Sequence, residues 1–259
     1  IEAAIICAKG ELIVATDADC TVPPGWLTTI NDFYTFKGAA FIAAPVRFTY
    51  TRSILQIFQA LDFMVLQGIT AAAVSGSFHS MCNGANLAYT KQAFDEVEGF
   101  IGINQVASGD DMLLMYKVWQ RYPQNVHYLK SKQTIVQTGA MPTWKLFFGQ
   151  RIRWASKTMH YTDKRVLAVL VFVYAFNVLF FVLLAAGFFS ATYWQAALLY
   201  WIVKTGIELP FTYAISEFYE EKRLLPYFFF FQPLHMLYTV SIGLLSQLGR
   251  YEWKGRLTK

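Results

Sequence analysis

Residues 166–189 are apolar without a break apart from Asn177, and no other feature limits the fold so strongly. A helix needs about 20 apolar residues to cross the hydrocarbon core of a bilayer, and this run supplies them. Two further apolar stretches follow, residues 194–215 with Lys204, Glu208 and Pro210, and residues 225–248 interrupted by Gln232, Pro233 and His235. Lys204 and Glu208 are four apart, so they can meet on one helix face. Mutual neutralisation is the expected reason for placing two charges there, ahead of a functional site. Three full crossings would put the basic tail on the side opposite the N-terminal domain, against the positive-inside tendency. The expectation is therefore a segment that does not cross, or a tail that breaks the rule.

The rest of the chain is different. Charged residues make up only 15% of the 259 residues, well below the usual quarter or so, but the deficit lies in the last third. Residues 1–164 have the mixture of an ordinary folded domain. The net charge of +5 does not come from a long basic run. Lys145, Arg151, Arg153, Lys157, Lys164 and Arg165 precede the first apolar run, and Arg250, Lys254, Arg256 and Lys259 end the chain. Basic clusters beside apolar spans face anionic lipid at the cytoplasmic surface, so membrane lipids and not nucleic acid are the expected partner. Three cysteines, Cys7, Cys20 and Cys82, have no metal-ligand spacing and imply neither a disulfide framework nor a zinc site. The chain starts at Ile1 and enters a strand and loop almost at once, which suggests a piece of a longer protein whose upstream part is missing.

Within the mixed domain, residues 12–15 form a short apolar run that reads as a buried strand. Thr16, Asp17, Ala18 and Asp19 follow, and Pro23 and Pro24 close the loop before a helix predicted over residues 26–36. In a parallel α/β sheet, ligands collect outside the carboxyl ends of the strands, which is where these two acids fall. Residues two apart in an extended loop can point to one side, so Asp17 and Asp19 can reach a single cation. Hard oxygen donors suit Mg²⁺ or Mn²⁺, commonly shared with a substrate's phosphates. A pair of solvated loop acids is the plainer alternative.

Residues 39–46 read as a second strand, and residues 54–67 have helical apolar spacing. Small residues then dominate from Ser75 to Asn86, including Asn83, Gly84 and Asn86, followed by a strand over residues 87–89. Small residues let a backbone approach a ligand closely, although a plain connector explains them as well. His79 and Cys82 have no second pair of ligands nearby and are not read as a metal site. Asp110 and Asp111 open a helix, where carboxylates are favourable on dipole grounds alone. Alternatively one of them is a general base at the lip of the sheet, in the same cleft as Asp17 and Asp19. Strands over residues 126–129 and 134–138 close the domain. Thr143 is a possible N-cap for a helix through about Tyr161 that mixes Trp144, Phe147, Phe148 and Trp154 with basic residues. Such a helix lies in the membrane interface, and its Gln150, Arg151, Arg153 and Trp154 could also face a phosphate or a sugar.

Taken in order, these motifs resemble the membrane-integrated family 2 glycosyltransferases, the group of cellulose, chitin, hyaluronan and poly-N-acetylglucosamine synthases. Asp17-Ala-Asp19 looks like the family's Asp-x-Asp, and Asn83-Gly-Ala-Asn86 like its small-residue acceptor loop before a strand. Gly109-Asp110-Asp111 is similar to its Gly-Glu-Asp motif with Asp in place of Glu. Gln150-Arg-Ile-Arg153-Trp154 matches its Gln-x-x-Arg-Trp, and membrane spans follow. The resemblance covers nearly the whole chain but lacks the N-terminal strands that hold the nucleoside, so this stretch alone is expected to be inactive.

The resemblance implies an α/β fold of GT-A type, here its C-terminal half. It divides the chain into a partial catalytic domain over residues 1–142, an interface helix over 143–164 and a transmembrane region over 165–259. It also implies an inverting transfer from a nucleotide sugar, UDP-linked, to a lipid-linked or polysaccharide acceptor. A divalent cation would sit on Asp19 with Asp17 assisting. Asp111 would be the general base, with Asp110 supporting it. Gln150, Arg151, Arg153 and Trp154 would bind the donor diphosphate and the acceptor, with Arg153 on the diphosphate and Trp154 against the acceptor sugar. The catalytic domain is expected on the cytoplasmic face, in a bacterial inner membrane. The competing reading is a non-catalytic membrane scaffold or transport component with a degenerate domain.

Overall fold

The computed structural model describes residues 2–78, 81–103, 109–156, 163–248, 251–253 and 256–258. The chain divides into two compact units, residues 1–51 with 63–140, and residues 52–62 with 141–259.

The first unit is mixed α/β. After a short helix α1 (Glu2–Cys7), the elements are β1 (Leu12–Ala15), α2 (Trp26–Lys37), β2 (Phe41–Ala43) and β3 (Val46–Thr49). They are followed by α3 (Ile54–Ser75), whose first part counts with the second unit, then β4 (Leu87–Thr90), α4 (Lys91–Glu96), α5 (Asp110–Arg121), β5 (Val126–Tyr128) and β6 (Val136–Gly139). Helix α2 stops where Gly38 takes φ 59 and donates its N–H to the Tyr34 carbonyl, a left-handed cap that glycine accepts without strain.

The sheet order is β1-β4-β2-β5. β4 runs antiparallel to both neighbours, and β2 and β5 are parallel, so the sheet is mixed where a parallel one was expected. All three residues of β2 are buried, whereas β1 is an edge strand with every residue half-exposed. The single strand expected over residues 39–46 is two strands, divided at Pro45. Proline has no N–H for a ladder, and past it β3 leaves the main sheet to pair in parallel with β6.

Register determines which loops meet. Ala15 at the carboxyl end of β1 and Ala43 at the carboxyl end of β2 both face Leu87, the first residue of β4. The loop after β1, carrying Asp17 and Asp19, and the loop before β4, carrying Asn83 to Asn86, therefore share one end of the sheet.

The second unit is helical. α6 (Trp144–Ser156), α7 (Lys164–Ala186), α8 (Ala191–Phe218) and α9 (Leu225–Leu248) are followed by a hairpin of β7 (Tyr251–Trp253) and β8 (Arg256–Thr258). The expected continuation of α6 over residues 157–161 lies outside the described residues, as do Arg250, Lys254 and Lys259. Thr143 caps α6 as expected, its hydroxyl accepting from Leu146 N–H at 3.4 Å.

α7, α8 and α9 pack around Phe180, Ala197 and Met236. Tyr200 donates to the Phe176 carbonyl at 2.6 Å and Trp201 to the Phe229 carbonyl at 3.2 Å. Their outer faces expose Val171, Phe172, Leu198, Leu199, Phe230 and Leu237, an apolar surface far larger than a water-facing protein carries.

Three described helices are long and apolar enough to cross a membrane: Ile54–Ser75, Lys164–Ala186 and Lys222–Gln247. The latter two are 17% and 22% buried, as lipid-facing helices would be, whereas Ile54–Ser75 is 67% buried and serves as a core helix. α8 holds the stretch expected over residues 194–215 but falls short in apolarity, because Lys204 and Glu208 sit at its centre. The expected pairing is present: Lys204 Nζ donates to Glu208 Oε1 at 2.6 Å. It also donates to Gln232 Oε1 at 2.9 Å, and Gln232 Nε2 donates to Glu208 Oε2 at 2.6 Å, closing a three-residue ring between α8 and α9.

Candidate active site

Asp17 and Asp19 lie on a short turn in which Cys20 N–H donates to the Asp17 carbonyl at 3.1 Å. Thr21 then exchanges two backbone hydrogen bonds with Gln137 of β6, at 2.8 and 2.9 Å. The turn is thus tied to the sheet at both ends: by β1 before it and by β6 after it. Both carboxylates are exposed, and one ligand atom from each of Asp17, Asp19 and Cys20 falls within 4.8 Å of the others.

Such a donor set fits a hard divalent cation through its two carboxylates. Burial pushes the Cys20 thiol up, with the Asp19 and Asp17 carboxylates adding to the shift, and a hard cation prefers the carboxylate oxygens to the sulfur. Two anionic oxygens with open positions around them match how Mg²⁺ and Mn²⁺ are held when a substrate phosphate completes the sphere.

Asp111 is in the first turn of α5, whose N-cap is Gly109 at φ 112. Only glycine holds that conformation cheaply. The Asp111 carboxylate is fixed at both oxygens: Oδ2 accepts from Gly84 N–H and Oδ1 from Met112 N–H, each at 2.8 Å. A Cβ on Gly84 would stand 3.4 Å from Asp111 Oδ2, an ordinary van der Waals contact, so what ties the loop to the acid is the hydrogen bond itself.

The loop read equally well as a connector therefore holds the candidate base. Asn83 Oδ1 accepts from Ala85 N–H at 3.0 Å, folding the loop on itself. Asn86 is fully buried, accepting from Trp26 Nε1 at 3.0 Å and donating to the carbonyls of Pro45 at 2.7 Å and Thr134 at 2.6 Å. Its side chain is committed to the fold, so it acts on the site through the loop it anchors. Asp110 is half-buried beside Asp111. Burial, with the Asp110 charge adding, pushes the Tyr89 phenol up to about 12.

In the second unit, α6 presents Gln150, Arg153 and Trp154 half-buried. Arg151 stands apart from the other three. Its side chain is 1% exposed and lies 2.8 Å from the carboxylate of Asp62 on α3, itself 3% exposed, so in this structure its charge faces the protein's own acid and not the surface. The guanidinium carbon stands 4.3 Å from the Trp154 ring centre and 5.3 Å from that of Phe147. His235 of α9 approaches the other Asp62 oxygen at 3.5 Å.

Asp62 went unread in the sequence, although a lone acid in an apolar helical pattern is a signal for a buried partner. Gln59, one turn earlier and fully buried, was also missed. It clamps the start of the α6 segment with two bonds of 2.9 Å to the Met141 backbone.

The structure thus brings a pair of carboxylates that fit a metal and a backbone-held acid to one end of a mixed sheet, in a chain that continues into apolar helices. The chain belongs to glycosyl transferase family 21, whose model matches residues 2–259. The motif resemblance pointed to family 2, and the class common to both is glycosyltransferase. Among solved structures, S. aureus TarS 1-349 is similar at 14% identity and a TM-score of 0.36, covering 98% of this chain and 73% of that one. Comparison with curated proteins returns no match.

Proposed function

We propose that the chain is the catalytic part of a membrane-bound, inverting glycosyltransferase with a GT-A type fold. It moves a sugar from a nucleotide sugar, UDP-linked, to a lipid-linked or saccharide acceptor. The observation that carries this reading is the hydrogen bond from Gly84 N–H to Asp111. It holds a carboxylate at the end of the sheet where the Asp17 and Asp19 loop emerges.

Asp111 takes the proton of the acceptor hydroxyl as that oxygen attacks the anomeric carbon. The new C–O bond forms on the face opposite the departing diphosphate oxygen, so configuration inverts and the nucleoside diphosphate leaves with the bonding electron pair. A Mg²⁺ or Mn²⁺ ion, when bound to Asp19 and Asp17, supplies positive charge that offsets the charge growing on the leaving diphosphate. Asp110 keeps a second negative charge beside the base. The motif resemblance gives Arg153 to the donor diphosphate and Trp154 to the acceptor sugar. The basic flank before α7 is what supports a cytoplasmic catalytic unit, by the positive-inside tendency.

The test is transfer from a panel of radiolabelled nucleotide sugars by the full-length protein in membranes, with Mn²⁺ or Mg²⁺, for wild type and Asp111→Asn. Metal-dependent transfer that falls by a factor of about 10² or more in the variant supports the reading. Equal transfer by the variant removes Asp111 as base, and no transfer from any donor favours the scaffold.

A further inference from the structure

Buried ion pairs are poor stabilisers, since the cost of desolvating both charges often matches or exceeds their attraction. A pair as enclosed as Asp62 and Arg151 therefore calls for a reason other than stability. Its geometry supplies one. Phe147, Arg151 and Trp154 are spaced four and three residues apart, so they share one face of α6. The guanidinium lies within cation–π reach of both rings and closer to the indole. Its Nε and Nη1 are buried without a hydrogen-bond partner among the described residues, so its contacts are ring faces on one side and a carboxylate on the other. Asp62 stands on α3, Arg151 on α6 and His235 on α9, so three helices of one unit converge on the carboxylate. Phe147 is locked in turn, fully buried against Leu55 and Phe58 with Tyr238 packed alongside.

We propose that Asp62 is a positioning residue for the acceptor-binding tryptophan: its ion pair with Arg151 holds the guanidinium against the indole of Trp154 and so sets the plane of that ring. This rests on the reading above in giving Trp154 to the acceptor. Asp62 is buried against Arg151, so it acts through the guanidinium. Removing its charge releases the guanidinium, and the indole loses the cation that fixes it.

The experiment compares wild type, Asp62→Asn and the double variant Asp62→Leu/Arg151→Met in the full-length protein in detergent micelles. Three readouts are taken: thermal stability, steady-state kinetics against donor and acceptor separately, and fluorine NMR of protein labelled with 5-fluorotryptophan. Loss of a resonance in Trp154→Phe assigns that indole. The double variant replaces the charges with apolar groups of similar size, so it is expected to be as stable as wild type.

If the pair were merely structural, restored stability would restore function. Instead both variants should shift the Trp154 resonance and raise the acceptor KM by about three- to thirtyfold, the range spanned by a cation–π contact, with donor KM unchanged. A stable double variant with the wild-type acceptor KM overturns the proposal, as does a Trp154 resonance that does not move in Asp62→Asn. If wild type transfers sugar to no acceptor, the functional reading fails, and the fluorine spectrum still decides whether Asp62 sets the indole.

Discussion

Asn86 offers the sharpest test of how the fold supports the candidate site. Its amide is fully buried and makes three hydrogen bonds, and the partners determine its orientation: the Trp26 indole N–H can only donate, and the Pro45 and Thr134 carbonyls can only accept. Replacing it with alanine removes all three bonds. Pro45 loses least, because its oxygen also accepts from Val136 N–H at 3.1 Å. The Trp26 N–H and the Thr134 carbonyl are left without the amide, each at about 1–3 kcal/mol, for a total of roughly 2–6 kcal/mol.

Asn86→Asp is the more telling variant because it has almost the same shape. It can still accept from Trp26, but where the amide donated to two carbonyls at 2.7 and 2.6 Å it presents an acceptor instead. A protonated carboxyl could donate to one of them at most. The expected order of stability is Asn, then Ala, then Asp. At about 2–4 °C per kcal/mol, Asn86→Ala should melt roughly 4–24 °C lower. Thermal unfolding of the full-length protein gives the order. Hydrogen exchange at Ala44, whose N–H donates to the Asn86 carbonyl at 3.1 Å, shows whether the loss is local. An Asp variant as stable as wild type would refute the argument, because it would mean that the donor side of the amide contributes nothing.

Gly99→Ala should cost about 1–3 kcal/mol in unfolding experiments, since Gly99 has φ 48 and a Cβ there would stand 2.5 Å from the ring of Phe94. Glu96 accepts from Tyr122, Gln92 and Arg121, which hold its carboxyl below its usual pKa. Its stabilising effect is therefore present above the unfolded value of about 4.3 and lost as pH falls through the lower folded value. The melting-temperature gap between wild type and Glu96→Gln should be full at neutral pH and close in acid. Mn²⁺ binding followed by electron paramagnetic resonance should weaken on the order of tenfold in Asp19→Asn or Asp17→Asn and stay unchanged in Cys20→Ser. Lys204→Met should destabilise the helical unit by leaving the Glu208 and Gln232 side chains without their cation, and replacing all three by apolar residues should restore its melting temperature.

Local signals made much of this fold readable. Pro23, Pro24 and Gly38 bracket α2, and the apolar run before Asp17 is β1. The acids after β1 and at the start of α5 stood out because charges end apolar stretches there. What pairwise contacts decide could not be read that way. Pro45 splitting one strand into two was readable in principle, because the missing N–H is a property of the residue. That Gly84 donates to Asp111 across 27 residues was not. Small residues around a loop predict close approach without naming what approaches. The polarity of the sheet was misjudged for a related reason. Both faces of β2 are buried as in a parallel sheet, but that burial follows from its interior place beside β4 and carries no information about direction.

Arg151 shows how a buried charge can be told from a working one. In α6, Trp144, Phe147, Arg151 and Trp154 recur at intervals of three and four, the period of a face that packs against something. In α3, Leu55, Phe58 and Asp62 recur in the same way, and Leu55, Phe58 and Phe147 form one buried cluster. An arginine on the packing stripe of one helix and an acid on the packing stripe of another are each costly alone, and pairing offsets the cost. Arg153 is two positions further along and lies off that stripe, which is consistent with its remaining half-exposed. Two arginines within one motif are therefore separated by helical phase. The one in phase with the aromatics faces the protein's own carboxylate, and the one out of phase lies off the packing stripe.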